Sequence, residues 1–138
     1  MSPDIEFDHI GIAVESLAAP SYAFWQALGW PSRPDTETVV DQKVKVAMLP
    51  LKNSSCIELL EPTDPTSTIA NFLSKRGPGI HHICLRVKDI DGVLLKLKNA
   101  QVRLINEVPV RGAHDCRVAF VHPSATGGVL VELSEKQG

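Results

Sequence analysis

The chain has 138 residues, a formal charge of −2 and a pI near 6.2; this suits about one domain with enough apolar material for a core and excludes the basic stripe that binds nucleic acid. Its three cysteines, Cys56, Cys84 and Cys116, are widely spaced with no Cys-x-x-Cys pair, which argues against a disulfide framework or thiolate zinc knot and for reduced thiols in a cytoplasmic protein. No apolar run reaches the roughly 20 residues needed to cross a bilayer, and Met1-Ser2-Pro3-Asp4-Ile5-Glu6 reads as neither signal nor transit peptide, so no membrane partner is expected.

Residues 5 to 14 alternate as a half-buried strand, with Ile10, Ile12 and Val14 on one face and His9, Gly11 and Ala13 on the other. A helix is predicted from Leu17 to Leu28, with Pro20 near its start and Gly29 as its stop. Strands follow at about 35 to 41, 43 to 50 and 55 to 61. Pro62-Thr63-Asp64-Pro65 then breaks the chain, and Ile69, Phe72 and Leu73 predict a short helix in a linker over 62–78. The stretch 80 to 88 is again an alternating strand, with Ile83, Leu85 and Val87 opposite His82, Cys84 and Arg86. Asp89 is a plausible N-cap for a helix whose apolar face is Ile90, Val93, Leu94 and Leu97. Strands at about 102 to 107, 115 to 122 and 128 to 135 complete the chain.

The order of elements is written twice. Phe7-Asp8-His9-Ile10-Gly11-Ile12-Ala13-Val14 lies over Ile80-His81-His82-Ile83-Cys84-Leu85-Arg86-Val87, an offset of 82 − 9 = 73. Cys56-Ile57-Glu58-Leu59-Leu60-Glu61 mirrors Leu130-Val131-Glu132-Leu133-Ser134-Glu135 with an offset of 132 − 58 = 74, one residue having been gained in a loop. The predicted fold is therefore α+β: a single domain over 1–138 made of two βαβββ modules, about 5–61 and 79–136. Each forms a curved sheet with helices on one face.

By strand parity His9, Glu58, His82 and Glu132 all fall on the face away from the helices. A lone histidine on a strand carries little information, but a carboxylate buried between apolar neighbours costs several kcal/mol without a partner, and this pattern occurs twice at matching positions. Two imidazoles and two carboxylates form a mixed N/O set for a divalent first-row cation with coordination sites left open. Cobalt, zinc, nickel and manganese all suit such a set. The other reading of the acids is ion pairing with Arg86 or Lys45. Arg86, on the same face, suits an anionic substrate group or a salt bridge equally well. His122, at a strand end, suits contact with substrate or the capping of backbone. His81 reads as structural and His114 as exposed.

These motifs resemble the vicinal oxygen chelate superfamily across nearly the whole chain. Within it, Phe7–Val14, Ile57–Pro62, Gly79–Ile83, Phe120-Val121-His122-Pro123 and Gly127–Leu133 are similar to the methylmalonyl-coenzyme A epimerases. The resemblance implies a curved mixed sheet around a metal cleft, an acyl-coenzyme A substrate and a homodimer. It also implies a metal-stabilised enolate, with proton removal and return on opposite faces. In certain epimerases a glutamate on the third strand of the first half is a proposed base, and the matching residue here is Val46, which leaves Glu58 and Glu132 as the catalytic carboxylates. Glyoxalase I uses a similar ligand set, and a metal-free binding module shares the fold; both remain as alternatives.

Overall fold

Alternation and helical periodicity are realised in a computed structural model that describes residues 1–18, 20 and 22–137. In chain order the elements are β1 (Glu6–Ala13), α1 (Tyr22–Leu28), β2 (Thr36–Val39), β3 (Val44–Pro50), β4 (Cys56–Pro62), α2 (Thr68–Arg76), β5 (Gly79–Arg86), α3 (Ile90–Asn99), β6 (Val110–Arg111), β7 (Arg117–Val121) and β8 (Val131–Glu135). The chain divides into two compact units, residues 10–81 and residues 1–9 with 82–138. The boundary does not follow the sequence repeat, because β1 is shared: its opening residues belong with the later half of the chain.

In the unit 10–81 the strand order is β2-β3-β4-β1. Antiparallel pairing of β3 with β4 sets Met48 opposite Glu58 and Val46 opposite Leu60. The core of this unit is Val14, Tyr22, Ala47, Leu49 and Leu59, with Ile12, Leu17, Trp25, Trp30 and Ile57 packed against it. Ile57 and Leu59 thus take the helix side, and Glu58 the other. Helix α1 ends at Gly29, whose φ of +124° is costly for a residue with a Cβ. Ser67 caps α2, its hydroxyl accepting from the Ile69 N–H at 3.1 Å.

In the other unit the order is β1-β5-β8-β7-β6. Strand β8 runs parallel to β5, with Cys84 opposite Glu132, and antiparallel to β7, with Phe120 opposite Glu132. The core is Val87, Ile90, Leu94, Ala119, Val121 and Leu133, so the predicted apolar face of α3 is the one that packs. Asp89 caps this helix, accepting from the Gly92 N–H at 3.1 Å.

The repeat extends to fine structure. Met48 opposite Glu58 corresponds to Phe120 opposite Glu132. The Leu17 N–H donates to Glu61 Oε1 at 2.7 Å and the Ile90 N–H to Glu135 Oε1 at 3.0 Å. The donors are 73 residues apart and the acceptors 74. One carboxylate in each half therefore holds the turn that leads from its first strand into its helix.

Two predicted elements differ. The first helix begins at Tyr22 rather than Leu17; Leu17 and Ala18 lie in a turn, and Ala19 and Ser21 lie outside the described residues. The strand expected over 102–107 reduces to one bridge between Leu104 and Val121. The Asn106 side-chain oxygen accepts the Phe120 N–H at 2.8 Å and so takes the place of a backbone partner. The edge strand forms later, at Val110–Arg111, against Arg117 and Val118. Among the described residues no helix is long and apolar enough to cross a membrane.

Leu94 and Leu59 are each 2% exposed at the centres of the two cores, and their truncation leaves cavities that neighbouring side chains fill only partly. Leu94→Ala and Leu59→Ala should each lower the unfolding free energy by about 2–5 kcal/mol, against about 1 kcal/mol for Glu135→Ala at the α3 start, as measured by urea titration.

Candidate functional site

Strand alternation delivers three polar side chains to one point within the unit formed by residues 1–9 and 82–138. His9 on β1, His82 on β5 and Glu132 on β8 are all buried. The two Nε2 atoms are 3.0 Å apart, and Glu132 Oε1 lies 3.2 Å from His9 Nε2 and 3.1 Å from His82 Nε2. The imidazoles meet edge to face, with centroids 5.1 Å apart, and the Phe120 ring closes on His82 at 5.7 Å. Burial pushes the Glu132 carboxyl up, but hydrogen bonding to His82 and His9, together with their charge, outweighs it and brings the group down to about 2. It is thus ionised at neutral pH.

The donor set suits a cation. An octahedral shell with bonds of about 2.1 Å separates neighbouring donors by about 3.0 Å, and a tetrahedral one by about 3.4 Å. The observed triangle of 3.0, 3.1 and 3.2 Å is close to an octahedral face. Such a face leaves further positions for other ligands.

Behind His9 stands Asp8, which the sequence reading did not single out. Its Oδ2 is 2.8 Å from His9 Nδ1, and its Oδ1 accepts from Arg86 Nε at 2.9 Å and Nη2 at 2.5 Å. Burial pushes the Asp8 carboxyl up, yet His9 and Arg86 together hold it below the usual carboxylate range. Arg86, left open between an anionic substrate and a salt bridge, is engaged in this pair, with Glu6 a further 3.9 Å neighbour. Asp8, His9 and Cys84 form a second donor group that shares His9, but the Arg86 guanidinium already supplies its positive charge.

Glu58 belongs to the other unit. It is buried on β4, its Oε2 3.9 Å from Cys56 Sγ, on the same face as Val46 and Met48. His122 caps a short turn, its Nδ1 accepting from the Ser124 N–H at 3.0 Å. His81 packs edge-on against Phe72 at 5.1 Å, and His114 is exposed.

The chain resembles known proteins in both sequence and fold. The sequence profile described as the Glyoxalase/Bleomycin resistance protein/Dioxygenase superfamily matches residues 8–120. An ethylmalonyl-CoA/methylmalonyl-CoA epimerase of Cereibacter sphaeroides is 40% identical over 93% of this chain and 96% of its own length. The crystal structure of a methylmalonyl-CoA epimerase from Mycobacterium tuberculosis superposes with a TM-score of 0.88 at 38% identity, covering 96% of this chain and 89% of that one. A methylmalonyl-CoA epimerase solved in complex with methylmalonyl-CoA superposes with a TM-score of 0.85 at 34% identity, covering 96% and 95%.

A cation that binds the folded chain alone must raise its stability. Cobalt(II) at 100 times its Kd should add about 2.7 kcal/mol to the unfolding free energy. His9→Ala and Glu132→Ala should remove that increment and weaken cobalt uptake, read by equilibrium dialysis, by more than about 100-fold.

Proposed function

Because the chain belongs to the glyoxalase/bleomycin resistance protein/dioxygenase superfamily, in the branch that holds the methylmalonyl-CoA epimerases, we propose that it interconverts (R)- and (S)-methylmalonyl-CoA. The observation that carries the reading is the buried His9, His82 and Glu132 trio in a chain that matches such epimerases over nearly its whole length. Glu58, the repeat equivalent of Glu132, is the fourth donor of the set. A divalent cation bound there would supply Lewis-acid stabilisation of the negative charge that develops on the thioester oxygen, worth several kcal/mol.

Inversion at a carbon between a thioester and a carboxylate needs one group to remove a proton and another to return it on the opposite face. Val46, the position of a proposed base in some relatives, offers no titratable atom; it is 2% exposed and lies on the same face of the β3–β4 pair as Glu58. The proton therefore moves through carboxylates at other positions. For each stereoisomer one of Glu58 and Glu132, one from each module, removes the proton, and the other, protonated at the outset, returns one on the opposite face. His9 and His82 would supply the nitrogen donors that hold the cation.

A homodimer, carried over from the family resemblance, is part of the same proposal. The three cysteines, thiols rather than disulfides and two of them buried, suit a reducing cytoplasmic setting.

With purified protein, methylmalonyl-CoA should be epimerised and ethylmalonyl-CoA tested beside it. Methylglyoxal with glutathione should not react, and a chelator should abolish turnover. Turnover of methylglyoxal with glutathione would transfer the site to glyoxalase chemistry; full activity after exhaustive chelation, or no turnover of either substrate, would reject the proposal. Glu58→Gln and Glu132→Gln should each block exchange of the α-hydrogen with deuterated water from one stereoisomer, and from opposite ones. Wild-type exchange by both variants with metal retained would remove these residues from the acid/base role.

A further inference from the structure

Neutral histidine exists as two tautomers, and only the one with its proton on Nδ1 leaves Nε2 as an electron-pair donor. The environment of His9 bears directly on that choice. On an ideal strand Asp8, one residue earlier, would project to the opposite face. Its carboxylate nevertheless reaches back to within 2.8 Å of His9 Nδ1. The other oxygen is fixed by two hydrogen bonds from Arg86, at 2.9 and 2.5 Å. Both carboxylate oxygens are thus engaged, and the three side chains are largely withdrawn from water, at 7%, 19% and 16% exposure for His9, Asp8 and Arg86.

An ionised carboxylate only accepts hydrogen bonds, so Asp8 requires a proton on Nδ1. In the other tautomer Nδ1 and Asp8 would face each other as two acceptors. A neutral ring has one proton for two carboxylates, and Asp8 Oδ2, 2.8 Å from Nδ1, is nearer than Glu132 Oε1, 3.2 Å from Nε2, which also has His82 Nε2 at 3.1 Å.

The arrangement is also one-sided. In the second module the residue equivalent to Asp8 is His81, whose ring lies against Phe72, and the first-module equivalent of Arg86 is Ala13. A βαβββ module therefore forms without this pair, which separates the pair from the requirements of the fold.

We propose that Asp8, pinned by Arg86, is a positioning residue that locks His9 in the Nδ1–H tautomer and so presents Nε2 to a divalent cation. The assignment rests on reading the His9, His82 and Glu132 cluster as a metal centre. It gives Arg86 a role in building that centre.

The test uses the full chain. In metal-free protein labelled with ¹⁵N-histidine, long-range ¹H–¹⁵N spectra at alkaline pH report the tautomer of each ring, and His9 is identified by the signal lost in His9→Gln. Wild type should show His9 as Nδ1–H; an Nε2–H ring overturns the proposal without any variant. Asp8→Leu should shift His9 toward Nε2–H and weaken cobalt(II) binding by about 10- to 100-fold, with a change in the visible cobalt spectrum. Arg86→Met, which leaves Asp8 in place but unpinned, should give a smaller loss in the same direction and serves where Asp8→Leu does not fold. Unchanged tautomer and unchanged cobalt affinity in a folded variant overturn the proposal. Wild type that binds no cobalt overturns the metal-centre reading and with it the presentation of Nε2 to a cation, while the tautomer measurement still decides what Asp8 does to His9.

Discussion

Two imidazoles and a carboxylate held out of water within 3.0 to 3.2 Å of one another must be satisfied by each other or by something they share. An isolated buried carboxylate would take up a proton; Glu132 instead lies near a pKa of 2, because the histidines offset its desolvation. The surrounding structure meets that demand through strand alternation. On β8 the side chains that flank Glu132, Val131 and Leu133, point the other way into an apolar core, which fixes the strand in a single register. A slip by one residue would put Glu132 into the cluster of Leu94, Ala119 and Leu133.

The two halves of the chain share this design and then diverge. Glu61 and Glu135 make matching bonds to Leu17 and Ile90, and Glu58 and Glu132 sit opposite the matching residues Met48 and Phe120. The divergence lies next to the donors. Asp8 stands beside His9 where the later half has His81, and Arg86 stands where the earlier half has Ala13. The repeat accounts for the paired donors, and the ion pair beside His9 stands on one side of it alone. A nearly symmetric scaffold can in this way hold two histidines of the same kind in unlike surroundings.

Much of this was legible in the sequence, because β-strand parity and internal repetition are exact counting rules. Once His9 and His82 fall in register, the faces of β1, β5, β4 and β8 follow, and with them the separation of Glu132 from Leu133. Capping by Asp89 and the stop at Gly29 were legible for local reasons of hydrogen bonding and φ. The strand over 102–107 was misread because its alternation and its partner β7 are real but the ladder is cut short: Asn106 captures the Phe120 N–H through its side chain, a competition that periodicity does not register. Asp8 was missed because parity sends it to the wrong face. Its mismatch with His81 is one of several in the repeat, among them Gly11 with Cys84 and Ala13 with Arg86, so it gave no separate signal.

The parallel pairing of β5 with β8 has a kinetic consequence. It joins Ile83 to Val131 and Cys84 to Glu132, partners nearly fifty positions apart, with the whole of α3, β6 and β7 lying between them. Contacts of such long sequence separation close slowly and late. On the ribosome His9 and His82 emerge before β8, the strand that carries Glu132, so the trio cannot assemble until that strand docks. Assembly of the trio is thereby tied to the docking of β8.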